Sequence, residues 1–273
     1  MSKDNRSDGL LSICIPTNID LTIPSFSLYY FTEVYEYTVY SKDLTLAKEI
    51  LPKLKSIISV FTDRIKDGIA DSFSGKNHWN FYEWTDGLSG RLHQDDSPGA
   101  EAALNCLLSI ALQNIDKICG LTGDSERYAS IATELNKNIY KAFFNKEKCL
   151  IANKPQSFEF SELVNSLAIL CGAVSENEAK SICEVLASDN ELTKVSLSMK
   201  CFKYDALIKI DKEKYRDFIL NDIKRTYKTM LDTGATAFWE TEKGESDFDN
   251  AGSLCHGWSA MPIYYFNLLL NGE

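Results

Sequence analysis

Apolar positions along this chain recur mostly at helical spacing. Ala103, Leu104, Leu107, Leu108, Ala111, Leu112, Ile115 and Ile118 lay one apolar stripe along a helix. Tyr128, Ile131, Ala132, Leu135, Ile139 and Phe143 repeat the pattern one helix later. Between the two lies CGLTGDSE, in which a glycine stop precedes Asp124, an expected N-cap. An earlier apolar-faced segment, Phe26–Val39, is followed by Asp43 as a second cap and then by a stripe through Ile50, Leu54, Ile57, Ile58 and Phe61. Pro52 is costly inside a helix, so it is expected in the first turn of that element.

Further helices are expected near 159–172, 176–188, 197–208, 212–231 and 251–270. The total is about nine, with short extended pieces only near the start and around 148–152. No polar, Pro-rich or Ser-rich linker divides the chain, so residues 1–273 are read as a single all-α domain. Helical hairpins of unequal length, joined alternately by tight turns and long loops, suit an α/α toroid. Six hairpins need about twelve helices, so the ring is expected to be short of its first hairpin or hairpins.

Composition narrows the partners. The chain has 273 residues, 44% of them hydrophobic, and a formal net charge of −10. Nucleic acid and anionic membrane both call for a basic face, so neither is expected. No apolar run reaches the roughly 18–20 residues of a membrane span. The opening residues lack the long apolar core of a signal peptide, which points to the cytoplasm for the chain as it stands. Of eight cysteines, Cys106, Cys119, Cys171 and Cys183 sit inside apolar helical patterns and no CxxC pair occurs, so reduced structural cysteines are expected.

The unusual chemistry is concentrated. All four tryptophans lie in two segments without helical periodicity: HWNFYEW, with Trp79 and Trp84, and GATAFWETEKGESDFDNAGSLCHGWSA at 234–260, with Trp239 and Trp258. His78 and His256 lie there too. A single tryptophan in a loop is commonly a plug for one end of a barrel. Several beside carboxylates are what a sugar site needs, because the indole covers the C–H face of the ring and acids accept from its hydroxyls. Glu83 stands between Tyr82 and Trp84, and Glu240 directly follows Trp239. A carboxylate desolvated by an indole suits proton transfer near neutrality. Glu83 reads as a capping or hydroxyl-binding acid and Glu240 as the proton-transfer group. Asp86 and Asp95–Asp96 flank glycine-containing turns and read as turn or cap residues.

The stretch Gly234-Ala-Thr-Ala-Phe-Trp-Glu240, followed by Ser253-Leu-Cys-His-Gly-Trp-Ser-Ala260, resembles the C-terminal signature of bacterial α-L-rhamnosidases with a six-hairpin (α/α)6 catalytic barrel. DGLLSICIP with IPSF resembles that family's extended lead-in and following helix, and HWNFYEW resembles its Phe-x-Glu/Asp-Trp site motif. The resemblance implies an inverting glycosidase acting on terminal α-L-rhamnosides, with Glu240 as general base and no cofactor or metal. It implies that His256 contacts a sugar hydroxyl and that Trp79, Glu83 and Trp84 line the pocket, with Trp239 and Trp258 as further walls. The family's general acid belongs to a motif upstream of the lead-in, and no residue here matches it. The resemblance therefore implies a fragment of a catalytic domain, either inactive alone or completed by a separately encoded N-terminal half or by self-association. Two other readings stand beside it. One is a non-catalytic carbohydrate-binding remnant. The other is a zinc-dependent toroid, because Cys255-His256-Gly257 resembles the ligand pair of lanthionine-cyclase-like proteins, although no other cysteine has the Trp and Gly context of a further ligand.

Overall fold

The computed structural model describes residues 6–93 and 98–271, so Asn5, Asp95 and Asp96 lie outside the described residues. The first helix, α1, spans Pro24–Ser41 and starts with proline in its first turn, where the missing N–H is no loss. Helix α2 spans Thr45–Thr62, and the Asp43 carboxylate accepts the Thr45 N–H at 2.8 Å, as its capping role requires. Pro52 departs from expectation: it lies well inside α2. Its own position is exposed, while Ile50, Leu51, Leu54 and Ile57 around it are buried and hold both halves of the helix on the core.

Two-residue strands β1 (Ile65–Lys66) and β2 (Ile69–Ala70) form a hairpin closed by Asp67 and Gly68. Both turn residues have positive φ, 51° and 86°, the geometry that favours an Asp-Gly pair. Helix α3 covers Ala102–Thr122 and ends at Gly123 in the left-handed conformation. Asp124 does not cap the next helix. It accepts the Glu126 N–H and pairs with Lys55 of α2 at 2.8 Å. Helix α4, Ala129–Phe143, is capped instead from α3, where Asp116 accepts the N–H groups of Tyr128 and Ala129. Strands β3 (Phe144–Asn145) and β4 (Leu150–Ile151) then pair close to the expected extended piece.

Helix α5, Glu162–Cys171, starts at the Ser161 cap and ends at Gly172, and α6, Glu176–Leu186, opens with a Ser175–Glu178 capping box. Helix α7 spans Lys200–Asp232 but breaks at Asp211 (φ −161°, ψ 93°), giving two rods as the pattern predicts. The last helix is shorter than expected. Residues 251–261 hold only a single 3-10 turn at Gly257–Ser259, α8 covers only Pro262–Phe266, and a π turn follows over Asn267–Asn271. Three successive left-handed residues, Phe248, Asp249 and Asn250, fold the chain back before Pro262 can start a helix.

Helices α1, α3, α5 and α7 pack on one another in sequence, with α2 and α4 on α3 and α6 on α7. Helices α3 and α5 are buried around most of their circumference, whereas α4 and α6 bury one stripe each. One core cluster joins α1 to α5 through Phe31, Phe61, Leu104 and Leu108; a second joins α5 to α8 through Tyr204, Ile219 and Tyr265. The fold is therefore mostly helical and of the α/α hairpin type. All eight cysteines are free thiols, with Cys106, Cys119, Cys171 and Cys183 buried as expected. Among the described residues no helix is long and apolar enough to cross a membrane. Tyr37, Val39 and Tyr40 at the end of α1, and Ile263 and Tyr264 on α8, present apolar surface to solvent.

A charged knot fixes the start of α7. The Asp222 carboxylate accepts from Lys200 at 2.9 Å and from the Tyr204 hydroxyl at 2.6 Å, and Arg225 closes its other oxygen. Burial opposes the charge of Asp222, yet Lys200, Tyr204 and Arg225 together hold its carboxyl well below the ordinary carboxylate range. Asp222→Asn is expected to cost about 2 kcal/mol at pH 7, less than a fully buried pair because Arg225 is screened by solvent. A carboxyl depressed in the folded state stabilises above its unfolded value of about 3.9 and ceases to do so as pH falls through its lower folded value. Urea denaturation should therefore show wild type and variant converging towards pH 2.

Candidate active site

The last irregular segment is shaped by a short backbone pairing. The Glu240 N–H donates to the Ser253 carbonyl at 2.8 Å, and the His256 N–H donates to the Phe238 carbonyl at 2.8 Å. The Ser253 N–H also reaches the Glu240 Oε2 at 3.3 Å, so the carboxylate is oriented by the segment opposite it. The chain between doubles back tightly: a Cβ on Gly252 would lie 2.0 Å from the Gly244 carbonyl oxygen, so only glycine fits. This pairing brings Glu240 and His256, sixteen positions apart in sequence, to one place.

That place is a cavity of about 410 Å³. One wall comes from α1 and the lead-in, with Ile13, Ile23, Phe26, Tyr29 and Glu33. The second comes from Trp79, Phe81 and Trp84. Ser198 and Met199 form a floor at the turn before α7, and Glu240, His256 and Trp258 complete the circle. The rings are in mutual contact: Trp258 lies 4.8 Å from Phe26, Phe81 4.6 Å from Trp84, and Trp79 5.7 Å from Trp84. The Trp79 indole N–H donates to the Ser89 carbonyl at 2.7 Å, which fixes the plane of that ring. A second cavity of about 300 Å³ lies between α7 and α8, but its lining is almost wholly aliphatic and aromatic and contains no carboxylate. Lys224, Tyr227 and Thr236 are the lining residues there with polar side-chain ends.

Trp79, Trp84, Glu240, His256 and Trp258 thus meet in one cavity. Two residues expected with them do not. Trp239 packs on the second core, with its ring so close to Gly244 that a Cβ there would lie 2.6 Å away. It faces the support of the loop because Glu240, the next residue along an extended stretch, takes the opposite side. Glu83 is fully buried behind the cavity. Its Oε1 accepts the Trp84 N–H at 2.7 Å and its Oε2 accepts the Ser196 N–H at 3.0 Å, a bracket between the aromatic loop and the turn before α7. Burial pushes the Glu83 carboxyl up, and the two amides pull only part of the way back. His78 also stands apart, its Nε2 3.0 Å from the Asp8 carboxylate that Arg6 holds as well.

Several lining residues escaped the sequence reading. Phe26, Tyr29 and Glu33 lie on one face of α1 at i, i+3 and i+7, a spacing that marks a helix face but not what it faces. Ser198 and Met199 are placed by the Lys200–Asp222 knot, and the Ser198 hydroxyl approaches the Glu240 carbonyl at 3.5 Å. The cavity thus offers aromatic faces for the C–H side of a sugar and two carboxylates, Glu33 and Glu240, for its reacting or hydroxyl groups. Among the described residues no three His, Cys, Asp or Glu side chains gather as a metal site, and Cys255 is exposed.

The bacterial alpha-L-rhamnosidase six-hairpin glycosidase domain matches residues 1–268. The chain belongs to that family. Among solved structures, the GH78 family rhamnosidase of Bacillus sp. GL1 superposes with a TM-score of 0.79 at 23% identity, over 93% of this chain and 27% of that one. A rhamnosidase from Klebsiella oxytoca with rhamnose bound gives 0.77 at 19% identity, over 98% and 52%. The GH63 mannosylglycerate hydrolase of Thermus thermophilus in complex with glucose gives 0.63 at 10% identity, over 97% and 85%. At these identities the structural likeness speaks for the fold. The rhamnosidase-family chain spans about a quarter of the Bacillus protein and about half of the Klebsiella one. No curated protein matches it.

In this rhamnosidase-family domain the Glu83 bracket has a measurable consequence. A glutamine at 83 keeps one acceptor oxygen and must turn an amide N–H₂ towards one of the two backbone donors. Glu83→Gln is expected to lower stability by about 1–3 kcal/mol and to shift the tryptophan emission to longer wavelength as Trp84 loosens. Chemical denaturation and steady-state fluorescence check both.

Proposed function

We propose that this domain hydrolyses terminal α-L-rhamnosides with inversion at the anomeric carbon, Glu240 acting as general base. The observation that carries the reading is the meeting of Glu240 and His256 with Trp79, Trp84 and Trp258 in one cavity, in a chain of the rhamnosidase six-hairpin family. The rhamnose bound in the Klebsiella relative, and in the Streptomyces avermitilis α-L-rhamnosidase, supports the choice of sugar.

In this reading the tryptophan faces cover the C–H face and methyl group of rhamnose, and His256 hydrogen-bonds a ring hydroxyl. Glu240 accepts the proton of a water that attacks the anomeric carbon from the side opposite the leaving group. Inversion asks for roughly 6.5–9.5 Å between the base and the proton donor, leaving room for that water. A cavity of about 410 Å³ admits a monosaccharide and a water together. The carboxylate of Glu240 is held by the Ser253 N–H, so it is oriented before substrate arrives. A pure sugar-binding remnant would need aromatic walls but no carboxylate positioned in this way.

Glu240→Gln keeps the shape and one acceptor but cannot take a proton. It is expected to lower kcat by about 10²–10⁴-fold and to leave the affinity for free L-rhamnose within a few-fold. Turnover of an aryl α-L-rhamnoside and isothermal titration with L-rhamnose separate the two effects. Undiminished turnover in Glu240→Gln would sink the assignment of the base.

A further inference from the structure

Helix α8 follows directly on the segment that carries Trp258, so whatever seats α8 also sets that wall of the cavity. Two tyrosines do the seating. The Tyr227 hydroxyl of α7 donates to the Ser259 carbonyl at 2.6 Å. Tyr265 of α8 is almost fully buried, edge-on to Tyr204 at 5.1 Å. Its hydroxyl stands 3.0 Å from the Cys201 carbonyl oxygen and 2.8 Å from the Asp205 Oδ1, both in the first two turns of α7. This corner is continuous with the cavity: Phe202, beside Cys201, stacks on Tyr29 at 5.7 Å, and Tyr29 meets Trp258 edge-on at 5.8 Å.

One hydroxyl proton cannot serve two acceptor oxygens at full strength. With its proton kept, the Asp205 carboxyl donates to the Tyr265 oxygen, and the Tyr265 proton goes to the Cys201 carbonyl. Each donor in that chain then has one acceptor. Ionised, Asp205 draws the Tyr265 proton to itself, the bond to Cys201 is lost, and a largely buried charge is left without a cation. We propose that protonated Asp205 is a positioning residue of the sugar cavity: through Tyr265 it seats α8 on the start of α7 and so holds the Trp258 wall, and its ionisation releases that wall. The seating of α8 stands on its own; only its consequence for sugar binding rests on the rhamnoside reading.

The surroundings favour the neutral carboxyl. Burial pushes Asp205 up, the Tyr265 hydrogen bond pulls partly back, and the charge of Glu36 on α1 adds to the rise, leaving it pushed up to about 6. No lysine, arginine or histidine among the described residues acts on it. On α7 Cys201 faces it, while Lys209, one turn on, is engaged by the Ile169 and Leu170 carbonyls of α5. On α8 Tyr264 and Tyr265 face it, both hydroxyls raised by burial. On α1 Glu36 is itself raised by burial and by Glu33, and Tyr40 reaches Tyr264. A carboxyl held above its unfolded value of about 3.9 favours the folded corner while protonated. That contribution is lost as pH rises through about 6.

A pH titration of the full chain tests the assignment. Tryptophan emission of the wild type is expected to move to longer wavelength with a midpoint near pH 6, and the change should vanish in Trp258→Phe. Infrared spectroscopy should show one carboxyl carbonyl band lost over the same range and missing from Asp205→Asn. An asparagine always offers Tyr265 an N–H, so Asp205→Asn should keep the low-pH emission throughout, and Tyr265→Phe the high-pH emission. Glu36→Gln, at an exposed position, should move the midpoint to lower pH, which a merely structural Asp205 would not do. L-rhamnose affinity by calorimetry should fall by about two- to tenfold from about pH 5 to about pH 8, relative to Asp205→Asn. An emission change that persists in Asp205→Asn, or a midpoint unmoved in Glu36→Gln, would overturn the role. So would a rhamnose affinity with the same pH dependence in both chains. A wild type that binds no L-rhamnose at any pH defeats the rhamnoside reading alone, and the emission and infrared titrations still decide the role of Asp205.

Discussion

The cavity depends on the backbone pairing of residues 238–240 with 253–256. Without it Glu240 and His256 would belong to a long irregular loop with no fixed place. Two N–H to carbonyl bonds at 2.8 Å, and the Ser253 amide on the Glu240 carboxylate, turn that loop into a ribbon with one face over the cavity. Alternation along the ribbon then decides direction: Glu240 faces the cavity while Trp239 packs behind, against Gly244 and the second core. Each backbone bond is worth only about 1 kcal/mol net. What makes the ribbon persist is that its back is an indole half-buried against the second core, and that its turn admits glycine alone at 252.

Two glutamates illustrate how environment separates roles that sequence leaves alike. Glu83 stands beside a tryptophan, as a proton-transfer acid should, but both its oxygens are engaged by backbone amides and no sugar could reach it. Glu240 stands beside a tryptophan too, with one oxygen steadied from behind and the cavity in front. Adjacency along the chain is a poor guide to desolvation, because the groups that exclude water come from elsewhere in the fold.

The helices were legible because each carries its own stripe and its own punctuation. Gly123, Gly172, Ser161 and the Ser175–Glu178 box stop or start helices where the pattern does. The misreadings come from contacts that span the chain. Asp116 caps α4 from the preceding helix, where Asp124 was the local candidate. Pro52 is tolerated inside α2 because buried neighbours on both sides hold it there. The site was legible as a set of residue types, since tryptophan, histidine and glutamate cluster in two irregular segments. Its walls were not, because Glu83 meets a partner 113 residues further on and the α1 face looks like core stripe.

The central claim is that a sugar sits between the Trp79–Trp84 wall and Trp258, with its anomeric carbon presented to Glu240. A crystal structure of the Glu240→Gln chain soaked with L-rhamnose tests this most directly. The account predicts the sugar stacked on these rings, the side chain at 240 facing the anomeric carbon with space for one water, and His256 on a ring hydroxyl. Rhamnose bound with its anomeric carbon turned away from position 240, or seated in the apolar cavity between α7 and α8 with this one empty, would contradict it.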